Sequence, residues 1–410
     1  MGKHPRKKVK SLKQSRRQTP SWKKEYNEDI IATASEDEHG ATKEDILREV
    51  IKSNNLYQLR LLALSDGGFL NDNELRRTCW KKLLDIQQAI ELEENVKAET
   101  PLSSALQRQI EVDVARSYGN IVRAAEKRSR LKTFLHLFFR RNPHLHYYQG
   151  FHDICMVVLD IFEKDTKQVQ LLVMEVLAEN YFFSDPLHLD FSVIEASLRT
   201  IQELINLAEP EYGKILSQIP PYWGTSMLLT CFAHSIELPA PLHRIFDAVI
   251  SLPPYFSLYL VASLALLPAV RKEALEIHHR SSTNIDEDIM NLHSLLQEQA
   301  KQIRTVKDAD QLVRIARELV ENFPPSQVLI QGENYCGLSR ASHLFSPFKF
   351  DNSWLPPPPC PIVKKKHPGP ANIINTTLWF KLLNSDPAYY YFTAFFVALL
   401  AAGSYYKSYI

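Results

Sequence analysis

The stretch LKTFLHLFFRRNPHLHYYQGFHD, residues 131–153, decides the fold class. Leu131, Phe134, Leu135, Phe138 and Phe139 recur at the three- and four-residue spacing that puts apolar side chains on one face of a helix. The stripe stops before Asn142-Pro143, and proline disfavours helical backbone in the residue before it. After that break comes a run of aromatics and histidines around Gln149, next to a glycine, Gly150. Glycine in that position lets the backbone turn or come close to a partner.

Outward from this stretch the helical pattern continues. Residues 44–64 place Ile46, Val50, Ile51, Leu56, Leu59 and Leu62 near helical spacing. Asp72 or Asn73 can cap a helix carrying Leu75, Trp80, Leu83 and Leu84. Ser103 or Ser104 can start another through Leu106, Ile110 and Val114. Later helices are expected at 167–180, 193–207, 226–237, 256–271, 286–303 and 308–322. No sustained alternating run argues for a strand, and there is no fixed-period repeat. Glycine numbers 12 in 410 residues, where average usage would give roughly 29. Glycine serves hairpin turns and strand corners, so its scarcity favours helices over a barrel.

Composition excludes several classes. The formal net charge is +1, which gives no global reason to expect nucleic acid. No G-x-G-x-x-G or G-x-x-x-x-G-K-[ST] occurs, so the chain is expected to bind no nucleotide through its own glycine loop. Cys79, Cys155, Cys231, Cys336 and Cys360 are odd in number, widely spaced and without C-x-x-C, which fits reduced cytosolic thiols. No G-x-S-x-G argues for a hydrolase with its own nucleophile.

The two ends differ from the middle. Residues 1–45 read as a disordered arm: the first 24 carry ten Lys or Arg and no acid, and acids including Glu36, Asp37 and Glu38 follow. The basic run at 3–24 suits contact with anionic lipid, or a solvated tail. No apolar h-region marks a signal peptide, and Arg6 breaks the myristoylation pattern after Gly2. Residues 336–386, with WLPPPPCPIVKKKHPGP at 354–370, read as a stiff proline-rich basic linker. Residues 388–406, AYYYFTAFFVALLAAGSYY, hold no charge. At helical rise they span about 28 Å, close to bilayer thickness. Tyrosines gather at both ends. A transmembrane anchor at 387–407 is therefore expected. Lys364, Lys365, Lys366 and Lys381 precede it, which keeps the N-terminal bulk cytosolic. Only four residues follow 406, as in a tail-anchored protein.

Two motifs could carry chemistry. Ile110-Glu-Val-Asp113-Val-Ala-Arg116 puts Asp113 and Arg116 one turn apart on a helix face. Alone, that pair reads as a surface ion pair worth about a few tenths of a kcal/mol. In the second motif His144, His146, His152 and Asp153 lack the spacing and the second ligand cluster of a zinc site, so no metal is expected.

Taken together the motifs resemble the TBC domain of Rab GTPase-activating proteins. The marks are I-x-x-D-x-x-R at Ile110, Asp113 and Arg116, and Tyr147-Tyr148-Gln149-Gly150 for a Y-x-Q-G motif. Arg76-Arg-Thr-Cys-Trp80 precedes them, and Trp223-Gly-Thr-Ser226 and Arg244-Ile-Phe-Asp247 follow. The order is that of the family, over about residues 65–270; Tyr148 at the variable position is a mild departure, and the region beyond about 250 matches less distinctly. The resemblance implies an all-α, two-lobed helical TBC domain over 46–335, joined to the single C-terminal transmembrane helix. It implies an activator that inserts Arg116 as a finger and Gln149 as a water-orienting group into a GTP-loaded Rab. That partner carries the GTP and Mg, and the chain needs no cofactor of its own. Ile110, Asp113, Tyr148 and Gly150 would support the two catalytic groups. Arg76, Trp80, Arg244 and Asp247 would fix the helices. Tyr148 and Phe151 fit either a partner surface or the core. With its anchor the chain resembles endoplasmic-reticulum members acting in early secretory traffic, Golgi residence being open. The rival readings are a catalytically silent Rab-binding scaffold and a membrane tether.

Overall fold

The computed structural model describes residues 42–87, 100–119, 122–181, 184–188, 192–280 and 285–328. The arm before 42, the linker and the expected anchor lie outside the described residues. Among the described residues every regular element is helical, and no described helix is long and apolar enough to cross a membrane. The chain divides into two units, 1–48 and 49–410. Of the first, residues 42–48 are described: Thr42 and Asp45 exchange hydrogen bonds, and Glu44 pairs with Arg48.

The helices in order are α1 (Lys43–Ser53), α2 (Leu56–Leu64), α3 (Asn73–Leu83), α4 (Ser104–Arg116), α5 (Ala124–Arg141), α6 (Phe151–Ile161) and α7 (Lys167–Asn180). There follow α8 (Ser184–Leu187), α9 (Ser192–Ala208), α10 (Pro210–Leu216), α11 (Thr225–Thr230), α12 (Pro239–Ser251) and α13 (Phe256–Ala265). The last are α14 (Pro268–Arg280), α15 (Ile285–Glu298), α16 (Val306–Asn322) and α17 (Pro325–Val328). Their starts have chemical causes. Asp72 accepts from the Glu74 and Leu75 amides at the head of α3, and Ser103 accepts from Leu106 at the head of α4. Each such cap contributes about 1 kcal/mol. Thr305 and Asp308 form a reciprocal capping box on α16. Pro210 and Pro239 sit in the first turns of α10 and α12, where proline loses no helical hydrogen bond.

Helices α3 to α7 pack on one another around the α5 stripe, whose five apolar residues are all buried. Helices α9, α10, α12, α13 and α16 form a second group, with α13 buried along its whole length. The groups meet where α2 and α3 lie on α12 and where α11 lies on α6.

Four expected helices come out differently. The 44–64 segment is two helices, broken where Asn54 takes a left-handed φ of 54° and Asn55 caps α2. The 226–237 segment stops at Thr230, because Cys231 and Phe232 turn with φ of 48° and 67°. The 256–271 segment ends at Ala265, and Pro268 opens α14. The 286–303 segment finishes as a short 3-10 turn over Gln299–Gln302.

Candidate functional site

Arg116 is the last residue of α4, where a cation meets the negative end of the helix dipole. Ile110, fully buried, roots that helix in the core. The Arg116 side chain is 50% exposed and pairs with Asp113, whose side chain is only 4% exposed. The turn after it is pinned: Ser117 donates to the Asp113 carbonyl at 3.0 Å, and Arg128 donates to the carbonyls of Ser117 and Gly119 at 2.9 and 2.6 Å.

Between α5 and α6 the chain runs through Tyr147-Tyr148-Gln149-Gly150. Its two tyrosines reach different neighbours. The Tyr147 hydroxyl donates to Asp113 Oδ2 at 2.7 Å and lies 3.1 Å from His152 Nδ1. The Tyr148 hydroxyl donates to the Leu229 carbonyl on α11 at 2.8 Å. Burial pushes both phenols up, Tyr147 also through the Asp113 charge. Both rings are buried, as is Phe151, so Tyr148 and Phe151 belong to the core and not to a partner surface. Gln149 is half-buried. Its amide makes no hydrogen bond to another described residue, which leaves it available. Gly150 has φ of +105°, and a Cβ there would lie 2.8 Å from Thr230 Cγ2. Glycine is required there both by conformation and by space.

Below this segment the carboxylate of Asp153 sits between two imidazoles. His152 Nε2 is 3.3 Å from Oδ1 and His234 Nδ1 is 3.0 Å from Oδ2. Burial opposes the Asp153 charge, yet His152, His234 and Arg116 together hold its carboxyl below the usual range. The same bond to Asp153 raises His234. His144 and His146 point elsewhere and are exposed. Among the described residues no group of three His, Cys, Asp or Glu side chains is placed to share a metal.

The four supporting residues of the other motifs are buried side chains that close the α2–α3 connection onto α12 and α16. Asp247 accepts from Arg76 Nε at 2.9 Å, from Trp80 Nε1 at 2.8 Å and from the Phe69 amide at 3.1 Å. Trp80 stacks on Phe246 with centroids 6.1 Å apart. Arg244 pairs with Asp310 at 2.5 Å and donates to the carbonyls of Ala63 and Ser65. Gly68 passes so close that a Cβ would lie 2.8 Å from Asp247 Oδ2. Asp310 and His234 lie outside the sequence motifs, and Asp153 stands in the second motif only as an excluded metal ligand. Each meets its partner across 66 or 81 residues, and no local pattern encodes that.

A helical fold in which one buried carboxylate, Asp113, pairs with an arginine at a helix end and accepts from a tyrosine two residues before Gln149 defines a class. Residues 73–275 match the Rab-GTPase-TBC domain family, and the chain carries a domain of that family. Human "TBC1 domain family member 20" is 26% identical over 287 residues, covering 66% of this chain and 64% of that protein, less than two thirds of its length. Baker's yeast "GTPase-activating protein GYP8" is 28% identical over 243 residues, covering 51% of this chain and 48% of that one. The crystal structure of the Chlamydomonas flagellar RabGAP TBC domain superposes with a TM-score of 0.51 at 14% identity, over 72% of this chain and 95% of that one. That likeness is one of fold.

Proposed function

We propose that the chain activates a Rab-family GTPase in its GTP state, supplying Arg116 and Gln149 in trans to an active site that holds GTP and Mg. The observation that carries this reading is the link between the two groups. Asp113 pairs with Arg116 and accepts from Tyr147, two residues before Gln149. Hydrolysis spreads negative charge over the transferred phosphoryl group, and a guanidinium stabilises it through its planar fork. A carboxamide can orient the attacking water. Such a finger supplies about 10³–10⁵ in rate, or about 4–7 kcal/mol of barrier. The Asp113 pair holds the guanidinium in place before a partner arrives.

The charge-free segment at 388–406 supports residence at a membrane, the lysines before it support a cytosolic helical domain, and the resemblance to endoplasmic-reticulum members extends the reading to early secretory traffic there or at the Golgi. The basic arm at 3–24 would add contact with anionic lipid.

The test is single-turnover hydrolysis by a panel of GTP-loaded Rabs with the full chain in detergent. Acceleration of about a hundredfold or more on one Rab, lost in Arg116→Ala and in Gln149→Ala, is the expected result. A Rab that binds without faster hydrolysis would make the chain a scaffold. Variants as active as wild type would remove the catalytic assignment.

A further inference from the structure

His234 stands outside every motif, yet it joins the region that holds Gln149. It belongs to the turn after α11, where Cys231 and Phe232 take left-handed backbone that side chains adopt rarely. That turn and the end of α11 touch the 148–153 segment three times. Leu229 accepts from Tyr148, Thr230 fills the space a Gly150 side chain would need, and His234 Nδ1 meets Asp153 Oδ2 at 3.0 Å. Thr230 itself is fixed, donating to the Ser226 carbonyl at 2.8 Å and accepting from the His234 amide at 3.2 Å. From Asp153 the contacts run on through His152 and Tyr147 to Asp113 and Arg116.

We propose that His234 is a positioning residue for the activation reaction: its contact with Asp153 holds the first turn of α6, and with it Gln149, in register with Arg116, and grips more weakly when the imidazole loses its proton. This rests on the Rab-activation reading. A charge-assisted bond is roughly twice as strong as a neutral one, so the neutral ring still bonds but holds less firmly. The groups facing His234 are Asp153 on α6, Arg116 on α4 and Lys301 in the 3-10 turn. Asp153 favours the proton, while burial and the two cations oppose it. The balance lies with Asp153, which is in direct contact.

The experiment has two arms on the full chain, with wild type, His234→Gln and His234→Arg. Hydrogen exchange of residues 147–156 is followed from about pH 6.5, the ordinary histidine value, up to about pH 8.5, corrected for intrinsic exchange, because the contact with Asp153 raises His234. Protection is expected to fall with pH in wild type, to be low throughout in His234→Gln, and to stay high and flat in His234→Arg. Equal protection in wild type and His234→Gln overturns the brace. So does a loss spread evenly to α16, which would mean general destabilisation. In the kinetic arm His234→Gln is expected to lose about tenfold in acceleration at the lower pH, with Rab affinity within about twofold of wild type. Affinity lost at unchanged rate would make His234 a docking residue and overturn the proposal. A wild type that accelerates no Rab removes the Rab reading, and the exchange arm alone then decides the brace.

Discussion

The Tyr147 hydroxyl donates to Asp113 Oδ2 at 2.7 Å, and that one bond ties the segment carrying Gln149 to the helix that ends in Arg116. Asp113 is 3% exposed and its other oxygen faces the guanidinium, so the phenol and the arginine share one buried carboxylate. Tyr147→Phe keeps the ring on Phe139 and removes only the bond. A buried carboxylate left short of a donor costs about 1–3 kcal/mol. Urea unfolding should show a loss of that order. Rab hydrolysis under single turnover should slow while Rab affinity holds. Unchanged kinetics would show that the bond serves stability alone.

The finger assignment makes a sharper demand on side-chain shape. Lysine at 116 keeps the charge and can still pair with Asp113, but it lacks the planar fork that meets two phosphoryl oxygens. Arg116→Lys is expected to retain Rab binding and to lose most of the acceleration. Its rate should lie within about tenfold of Arg116→Ala on the responding Rab, since the finger's effect depends on that geometry. A lysine variant as fast as wild type would mean that position 116 acts as a point charge only.

Much of this arrangement is legible locally. The stripe from Leu131 to Phe139 gives α5, all five positions being buried. Asp72 and Ser103 cap where the sequence places caps. The split at Asn54-Asn55 had a signal, since asparagine tolerates left-handed backbone and caps helices. Pro268 likewise marks the start of α14. The turn at Cys231-Phe232 had none. Neither residue favours that conformation, and tertiary contacts to Gly150 and Asp153 hold it. The site divides in the same way. Arg116, Asp113 and Tyr147 sit in short motifs, whereas Asp310 and His234 are identified only by what they touch.

Asp247 is the point on which the α2–α3 connection closes. It receives Arg76, Trp80 and the Phe69 amide, and no part of it is exposed. Removing the acid leaves Arg76 as a buried cation without its carboxylate. Breaking such a pair from one side costs about 3–5 kcal/mol. Asp247→Ala should lower stability by that order in denaturant, with Asp247→Asn intermediate because it still accepts from Trp80. A loss below about 1 kcal/mol would show that water re-solvates Arg76.

The buried thiols should be inert. Cys79 and Cys231 are each pushed up to about 12 by burial, and Cys155 well above its ordinary value by the same cause. A thiol attacks as thiolate, so at about pH 8 almost none of these reacts. Iodoacetamide on the native chain, read by peptide mass spectrometry, should leave Cys79, Cys155 and Cys231 unmodified. In denaturant all three should label. Rapid native labelling of Cys231 would show that the turn bearing His234 opens on its own.

His293 on α15 is expected to give stability a slope in mildly acidic solution. Burial lowers it to about 4, so the folded chain keeps it neutral where an unfolded chain would take a proton. The folded value is depressed for a base. The unfolded state therefore binds the extra proton between the ordinary histidine value and about 4, and stability falls with pH across that window. The full shift corresponds to roughly 3 kcal/mol, lost progressively. Carboxylates such as Asp153 and Asp160, both held below their ordinary values, add their own loss at lower pH, once they protonate. The two effects separate by range. His293→Gln should flatten urea stability between about pH 6.5 and about pH 4.5 and leave the steeper loss below it intact. If His293→Gln and wild type fall in parallel over the upper range, the ring is protonated in the folded chain, and the acid sensitivity has another source.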